Sequence, residues 1–170
     1  MAERVRHARD GRPPEQATII VDGANVVGAR ADGWWRDRPG AAARLRDELA
    51  GLADRGTALL PAGMTGSPGL AFPEIVLVVE GAARGIAEPA GTAGAVGTVG
   101  TVGTVGTAGP GGGSRLRVVA ARGSGDDTIA RLAADIPGAR LVVTADRELR
   151  RRSEAAGARV IGPYWLLAQL

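Results

Sequence analysis

Four aspartates stand where apolar runs of strand length come to an end, and carboxylates in such places can do chemistry. Asp22 closes the run in IIVDGAN, Asp146 ends LVVTAD, and the adjacent pair Asp126 and Asp127 follows LRVVA after a short Gly-Ser-Gly turn. In an open parallel α/β sheet the carboxyl ends of the strands share one edge, and ligands bind there. Two carboxylates about 4 Å apart repel by roughly 4 kcal/mol at an effective dielectric of about 20. A cluster of them must take up protons, hold a cation or stay apart. The chain has no cysteine, and its single histidine, His7, lies in a polar N-terminal stretch. Hard oxygen donors of this kind suit Mg²⁺ or Mn²⁺ far better than zinc.

The elements that must position these acids follow from the hydrophobic pattern. Thr18–Val21, Ile75–Val79, Leu116–Ala120, Leu141–Val143 and Val160–Ile161 are short Val/Ile/Leu runs, as expected of strands buried on both faces of a parallel sheet. Between them lie helical signals. Pro39 opens a segment with Leu45, Leu49 and Leu52 on one face, and Gly56 stops it. Asp126 or Asp127 caps a helix carrying Ile129, Leu132, Ala133 and Ile136, ended by Pro137-Gly138. Asp146 begins another, closed by Gly157, and a last short helix runs over Tyr164–Leu170. Strands alternating with helices give βαβ units, hence an α/β fold with a parallel central sheet. Residues 1–16 read as a disordered polar tail and 17–170 as one domain. Residues 88–114, with three consecutive Gly-Thr-Val triplets, read as a flexible insertion of little thermodynamic cost.

Composition narrows the partners. The 170 residues carry a net charge of only +3, yet the pI is 10.8, because all 21 basic residues are arginine. Arginine suits phosphate, since its planar fork binds bidentately and stays charged. The charge alone permits a nucleic-acid partner without arguing for one. Disulfides and thiolate metal sites are excluded. No stretch reads as a signal peptide or a membrane span, so a cytoplasmic protein with no membrane partner is expected. Gly23-Ala24-Asn25-Val26-Val27-Gly28 lacks the second glycine of a dinucleotide-binding loop.

Together, VDGAN at 21–25, GSGDD at 123–127 before a helix, and VTADRELR at 143–150 resemble the PIN-like nucleases, within them the NYN branch and the YacP-like group in particular. The resemblance spans Ala17 to Leu170, apart from the Gly/Thr insertion. It implies a Rossmann-like three-layer domain with four or five parallel strands, an acidic metal site at their carboxyl edge, and Mg²⁺- or Mn²⁺-dependent cleavage of RNA. Matched residue by residue, Asp22 is the first-strand acid and Asn25 the polar residue of the same motif. Asp126 opens the later helix with Asp127 beside it, and Asp146 is the final acid. The family's intermediate acid is either Glu48 or Glu80. In this reading Asp22 and Asp126 ligate the principal metal, with Glu80 a further ligand. Asp146 and Asp127 ligate directly or through water, and one ion or two are both open.

Each residue also has a plainer role. Asp22 can be a turn former, and Asp126, Asp127 and Asp146 can be helix caps. Asn25 supports the turn, orients Asp22 or touches a phosphate. Trp34 and Trp35, followed by Arg36 and Arg38, sit in one loop, although tryptophan supplies three of only five aromatic residues. Base stacking on such rings is worth roughly 1–3 kcal/mol each, and nearby arginines hold phosphates; one of the pair is expected to pack as core. Arg147, Arg150 and Arg151 share a helix face, either solvated or directed at phosphate. The preferred reading is an endoribonuclease acting on single-stranded RNA. The alternatives are a phosphohydrolase of nucleotides or small phosphoesters at the same acids, and a non-catalytic RNA-binding module. A homodimer stays open, and a ribosomal or protein partner cannot be inferred.

Overall fold

A computed structural model describes residues 17–65, 69–87 and 115–170. The expected tail (1–16) and the expected insertion (88–114) lie outside the described residues. Five strands form one all-parallel sheet: β1 (Thr18–Asp22), β2 (Glu74–Val79), β3 (Leu116–Ala120), β4 (Arg140–Val143) and β5 (Arg159–Ile161). Their spatial order is β3-β2-β1-β4-β5. The helices are α1 (Gly23–Gly28), α2 (Arg38–Arg55), α3 (Gly125–Asp135), α4 (Arg147–Ala155) and α5 (Pro163–Leu167).

Alternation along the strands builds the core on both faces of the sheet, as the period of two requires. Ile19 and Val21 of β1 face one way, with Ile75, Leu77 and Val79 of β2, and pack under Leu45, Leu49 and Leu52 of α2. Ile20, Val76, Val78 and Val142 face the other way, under Ile129 of α3 and Leu149 of α4. Every residue of β1 is buried, so this central strand has no solvent-facing side. That explains why its sequence reads as an unbroken apolar run. The chain winds outward from β1 to β2 and β3, then returns past β1 to β4 and β5. The reversal falls beside β1. Adjacent connections there leave on opposite faces, which opens a crevice at the carboxyl ends of the strands.

Local structure departs from expectation in three places. The turn expected after Asp22 is a short helix, α1, with Asp22 itself as N-cap: its Oδ1 accepts from the Asn25 N–H at 3.0 Å. Neither Asp126 nor Asp127 caps α3. Ser124 does, and both acids fall in the first turn, where the exposed N–H groups favour negative charge. The last helix starts at Pro163 and stops at Leu167, short of the expected Leu170. Gln169 instead folds its side chain back, donating to the Trp165 carbonyl at 3.0 Å.

Gly23 is required by close approach rather than by an unusual dihedral. A Cβ there would lie 2.6 Å from the Val78 carbonyl oxygen and 3.2 Å from Leu77 Cδ1. Replacing Gly23→Ala therefore pushes α1 off β2, and overpacking of this kind costs about 1–3 kcal/mol. Urea unfolding followed by circular dichroism should show the midpoint falling by a corresponding amount. An unchanged midpoint would mean that α1 does not press on the sheet.

Candidate active site

Asp22 is the site's anchor. It ends the central strand with 5% of its surface exposed, and its carboxylate is held by three neutral donors. Oδ1 takes the Asn25 N–H, while Oδ2 takes Asn25 Nδ2 at 2.9 Å and the Thr144 hydroxyl at 2.8 Å. Thr144 is fully buried at the end of β4, and its Oγ1 also accepts the Asp146 N–H at 3.1 Å. Asn25 Oδ1 accepts the Ala145 N–H at 3.1 Å. Asn25 and Thr144 thus tie the β1 and β4 ends together and leave Asp22 little choice of rotamer. Burial pushes the Asp22 carboxyl above its ordinary value, the bonds from Asn25 and Thr144 oppose that rise, and nearby Glu80 adds to it.

Three further acids share its field. Asp126, half-buried in the first turn of α3, is also pushed up, by its partial burial and then by the charges of Asp22, Asp146 and Glu80; Arg152 pulls the other way. Glu80 continues β2 beyond Val79, and its Oε2 accepts the Gly125 N–H at 2.7 Å, which ties it to the start of α3. Asp146 caps α4 through Oδ1, at 2.7 Å from the Leu149 N–H. The cap uses one carboxylate oxygen and leaves the other over. Like charges hold one another apart, and among the described residues no three acids close into a ready-made ligand cage.

The donor set is all oxygen, and Asp22 is buried against neutral donors only. Among the described residues no ion pair reaches Asp22, Asp126, Asp146 or Glu80. A buried carboxylate beside three others, each lacking a basic partner, fits a hard divalent cation.

Other expected residues lie elsewhere or act differently. Glu48, on α2, pairs with Arg30. Asp127 is exposed and pairs with Arg152 at 2.7 Å. Asn25 has both ends of its amide engaged inside the site, on Asp22 and on the Ala145 N–H. The arginines of α4 are interleaved with acids: Arg150 lies 3.8 Å from Glu154, and Arg151 pairs with Glu148. Arg147 is exposed in the first turn. The expected basic face is therefore partly neutralised by its own helix.

The tryptophan loop lies next to the acids. A cavity of about 430 Å³ runs from Gly23 and Glu80 to Trp34 and Arg38. Trp34 is half-buried and packs on the core, whereas Trp35 is 59% exposed and meets it edge to face, at 6.3 Å between centroids. Arg38 lies over the Trp34 ring, 5.4 Å from its centroid, and Arg36 is exposed beside them. Sequence reasoning missed Thr144 and Arg84. Thr144 carried a signal, a polar residue ending a buried run. Arg84 carried none, because only the fold brings it to the cavity and to the Gly123 carbonyl, 3.1 Å away.

The acid cluster makes a stability prediction. Folding raises the Asp126 pKa, so the folded chain holds that proton more tightly than the unfolded one. Stability accordingly falls as pH rises from the ordinary value of 3.8 through the raised one. Asp126→Asn should raise the melting temperature at pH 7, and the gain should vanish at pH values below 3.8. Mn²⁺ should raise the melting temperature of the native chain more than that of the variant. Scanning calorimetry with and without Mn²⁺ checks both, and a variant no more stable at pH 7 would show that these acids do not feel one another. Thr144→Val leaves Asp22 and the Asp146 N–H each short of a partner inside the protein, which should cost about 1–3 kcal/mol by urea titration.

No known sequence family and no curated protein matches the chain. Its architecture is similar to the crystal structure of Rae1 (YacP) from Bacillus subtilis, solved as a tryptophan-to-leucine mutant. The TM-score is 0.56 at 15% identity, over 91% of this chain and 74% of that one. At that identity the likeness is one of fold, and the chain has the YacP-like, PIN-like fold that its three acidic motifs led one to expect.

Proposed function

We propose that this chain is a divalent-metal-dependent ribonuclease that hydrolyses single-stranded RNA endonucleolytically in the cytoplasm, through one domain spanning residues 17–170. The observation that carries the reading is the convergence of Asp22, Asp126, Asp146 and Glu80. They come from three strand ends and one helix start, and they share one electrostatic field without a basic partner of their own among the described residues. The YacP-like fold supports the reading, since its carboxyl edge is where ligands of such sheets bind.

Asp22, Asp126, Asp146 and Glu80 would hold Mg²⁺ or Mn²⁺. Bound there, the ion supplies charge neutralisation at the phosphate and a water of lowered pKa. The protein's own work is to place these groups. Asn25 and Thr144 fix Asp22, and Asp127 holds Arg152 close enough to Asp126 to act on its charge. Trp34, Trp35, Arg36 and Arg38 supply stacking surface and positive charge for a strand. Arg147 and Arg150 stand on α4, behind Asp146. No histidine is required.

The cavity also admits a second reading, hydrolysis of free nucleotides or small phosphoesters at the same acids. Its rim carries the exposed Arg38, Glu80 and Arg84, so a ligand there can continue into solvent as a polymer does. That favours RNA. A purely binding module has no use for clustered acids, which repel phosphate.

Labelled single-stranded RNA and nucleoside triphosphates should be incubated separately with the protein and Mn²⁺, with chelator, and with Asp22→Asn and Asp126→Asn. We expect RNA cut at internal positions, with both variants reduced to the chelated background. Asn25→Ala, which removes a donor to Asp22 and the acceptor of the Ala145 N–H but none of the four acids, should lose roughly 10–100-fold, as supporting partners of metal ligands do. Turnover of triphosphates alone would replace this reading with the second, and RNA binding without turnover would leave a binding module.

A further inference from the structure

The cavity beside the acids has a composition of its own. Val27 and Ala83 make its floor apolar, Trp34 with Arg38 layered on it makes one wall, and Glu80 and Arg84 bring a carboxylate and a guanidinium to its rim. At about 430 Å³ it lies toward the small end of ligand pockets, which span roughly 300–1,000 Å³. That is room for one nucleotide rather than a folded oligomer. A flat, apolar, cation-backed wall with hydrogen-bonding groups at the mouth matches a nucleobase, whose faces stack and whose edges carry donors and acceptors. Glu80 lines the cavity and is also one of the four coupled acids, while Gly23 at the other end directly follows Asp22. A ring seated here lies beside the acidic edge.

We infer that this cavity receives one nucleobase of the bound strand against the Trp34–Arg38 wall, and so sets which phosphodiester is presented to the acids. The inference rests on the ribonuclease reading for the strand, though base binding itself does not. Trp34 and Arg38 are then positioning residues. Trp35, being exposed, lies outside the pocket and contributes to a neighbouring contact.

The test scans a single-stranded RNA of fixed cut site with one abasic ribose at successive positions, in Mn²⁺. One position beside the cut should lose roughly ten- to hundredfold in kcat/KM, the range for one stacked base. Arg38→Ala and Trp34→Leu should lose a similar factor on intact RNA but nothing further on that abasic RNA. A second arm needs no turnover. Adenosine and uridine, which carry no phosphate, are titrated in chelator and followed by the NMR signals of the tryptophan indole N–H groups. Shifts of the Trp34 signal that vanish in Ala83→Leu, which narrows the cavity, support the pocket. If nucleosides bind in this way but no RNA is cut, the nuclease reading fails and the pocket stands as a site for free nucleotides. If every abasic RNA is cut equally, or nucleosides leave the Trp34 signal unmoved, the inference is overturned.

Discussion

A buried carboxylate without a basic partner is the constraint on which this molecule is arranged. Asp22 ends a strand with no exposed residue, in surroundings that favour the neutral acid. Three neutral hydrogen bonds work against that preference and hold the carboxylate in one orientation. Such bonds to a charged acceptor are worth roughly 1.5–3 kcal/mol each, enough to keep a charged form accessible but not to neutralise it. Burial of a charge is costly unless it is paired. The structure therefore carries a standing electrostatic cost at one point of its sheet, to which Glu80 adds, while Asp126 beside it feels the charges of Asp22, Asp146 and Glu80.

The topology decides where that cost falls. Because β1 lies where strand order reverses, its carboxyl end opens into a crevice between connections leaving on opposite faces. Glu80 and the start of α3 approach from the β2 side, and Thr144 and Asp146 from the β4 side. Asn25 closes the circuit by binding Asp22 with one end of its amide and the Ala145 backbone with the other. The same α1 backbone is pressed so tightly on β2 that only glycine fits at position 23. Tight packing beneath and polar bonds above leave the acids few alternative arrangements, and a pre-arranged donor set loses little entropy when it binds.

Much of this was legible in the sequence, for reasons that can be named. The five strands were visible because burial on both faces removes polar residues altogether, and Asp22 and Asp146 stood out as the charges that interrupt such runs. Asp146 as the cap of α4 was readable too, since capping is local chemistry. The division of partners among neighbours was not legible. Asp126 and Asp127 are adjacent and alike, and only the arrival of Arg152 from α4 draws one away. Glu48 and Glu80 were both open as the intermediate acid, with Glu80 named as the ligand; the fold pairs Glu48 with Arg30 and seats Glu80 on α3. The α1 helix escaped because Asp-Gly-Ala-Asn carries the composition of a turn, while a tertiary contact with Val78 sets its path. Local patterns predict local structure, and partner choice between side chains distant in sequence is settled by topology.

The distribution of arginine is the last argument for a site rather than a set of caps. With 21 arginines against 18 acids, there is no shortage of positive charge. Glu48, Asp127, Glu148 and Glu154 all stand beside one. Asp37, the exposed cap of α2, stands without an ion pair among the described residues, so the mark of a site is that several such acids share one field and one of them is buried. The four acids at the carboxyl edge have none within ion-pair distance among the described residues, and Arg152, the arginine whose charge reaches Asp126, is engaged by Asp127 instead. An arginine in direct contact would neutralise the cluster and occupy the oxygens a cation needs. Keeping basic side chains one step away leaves the carboxylates negative and open, the condition under which they can bind a divalent ion and, through it, a phosphate they would otherwise repel.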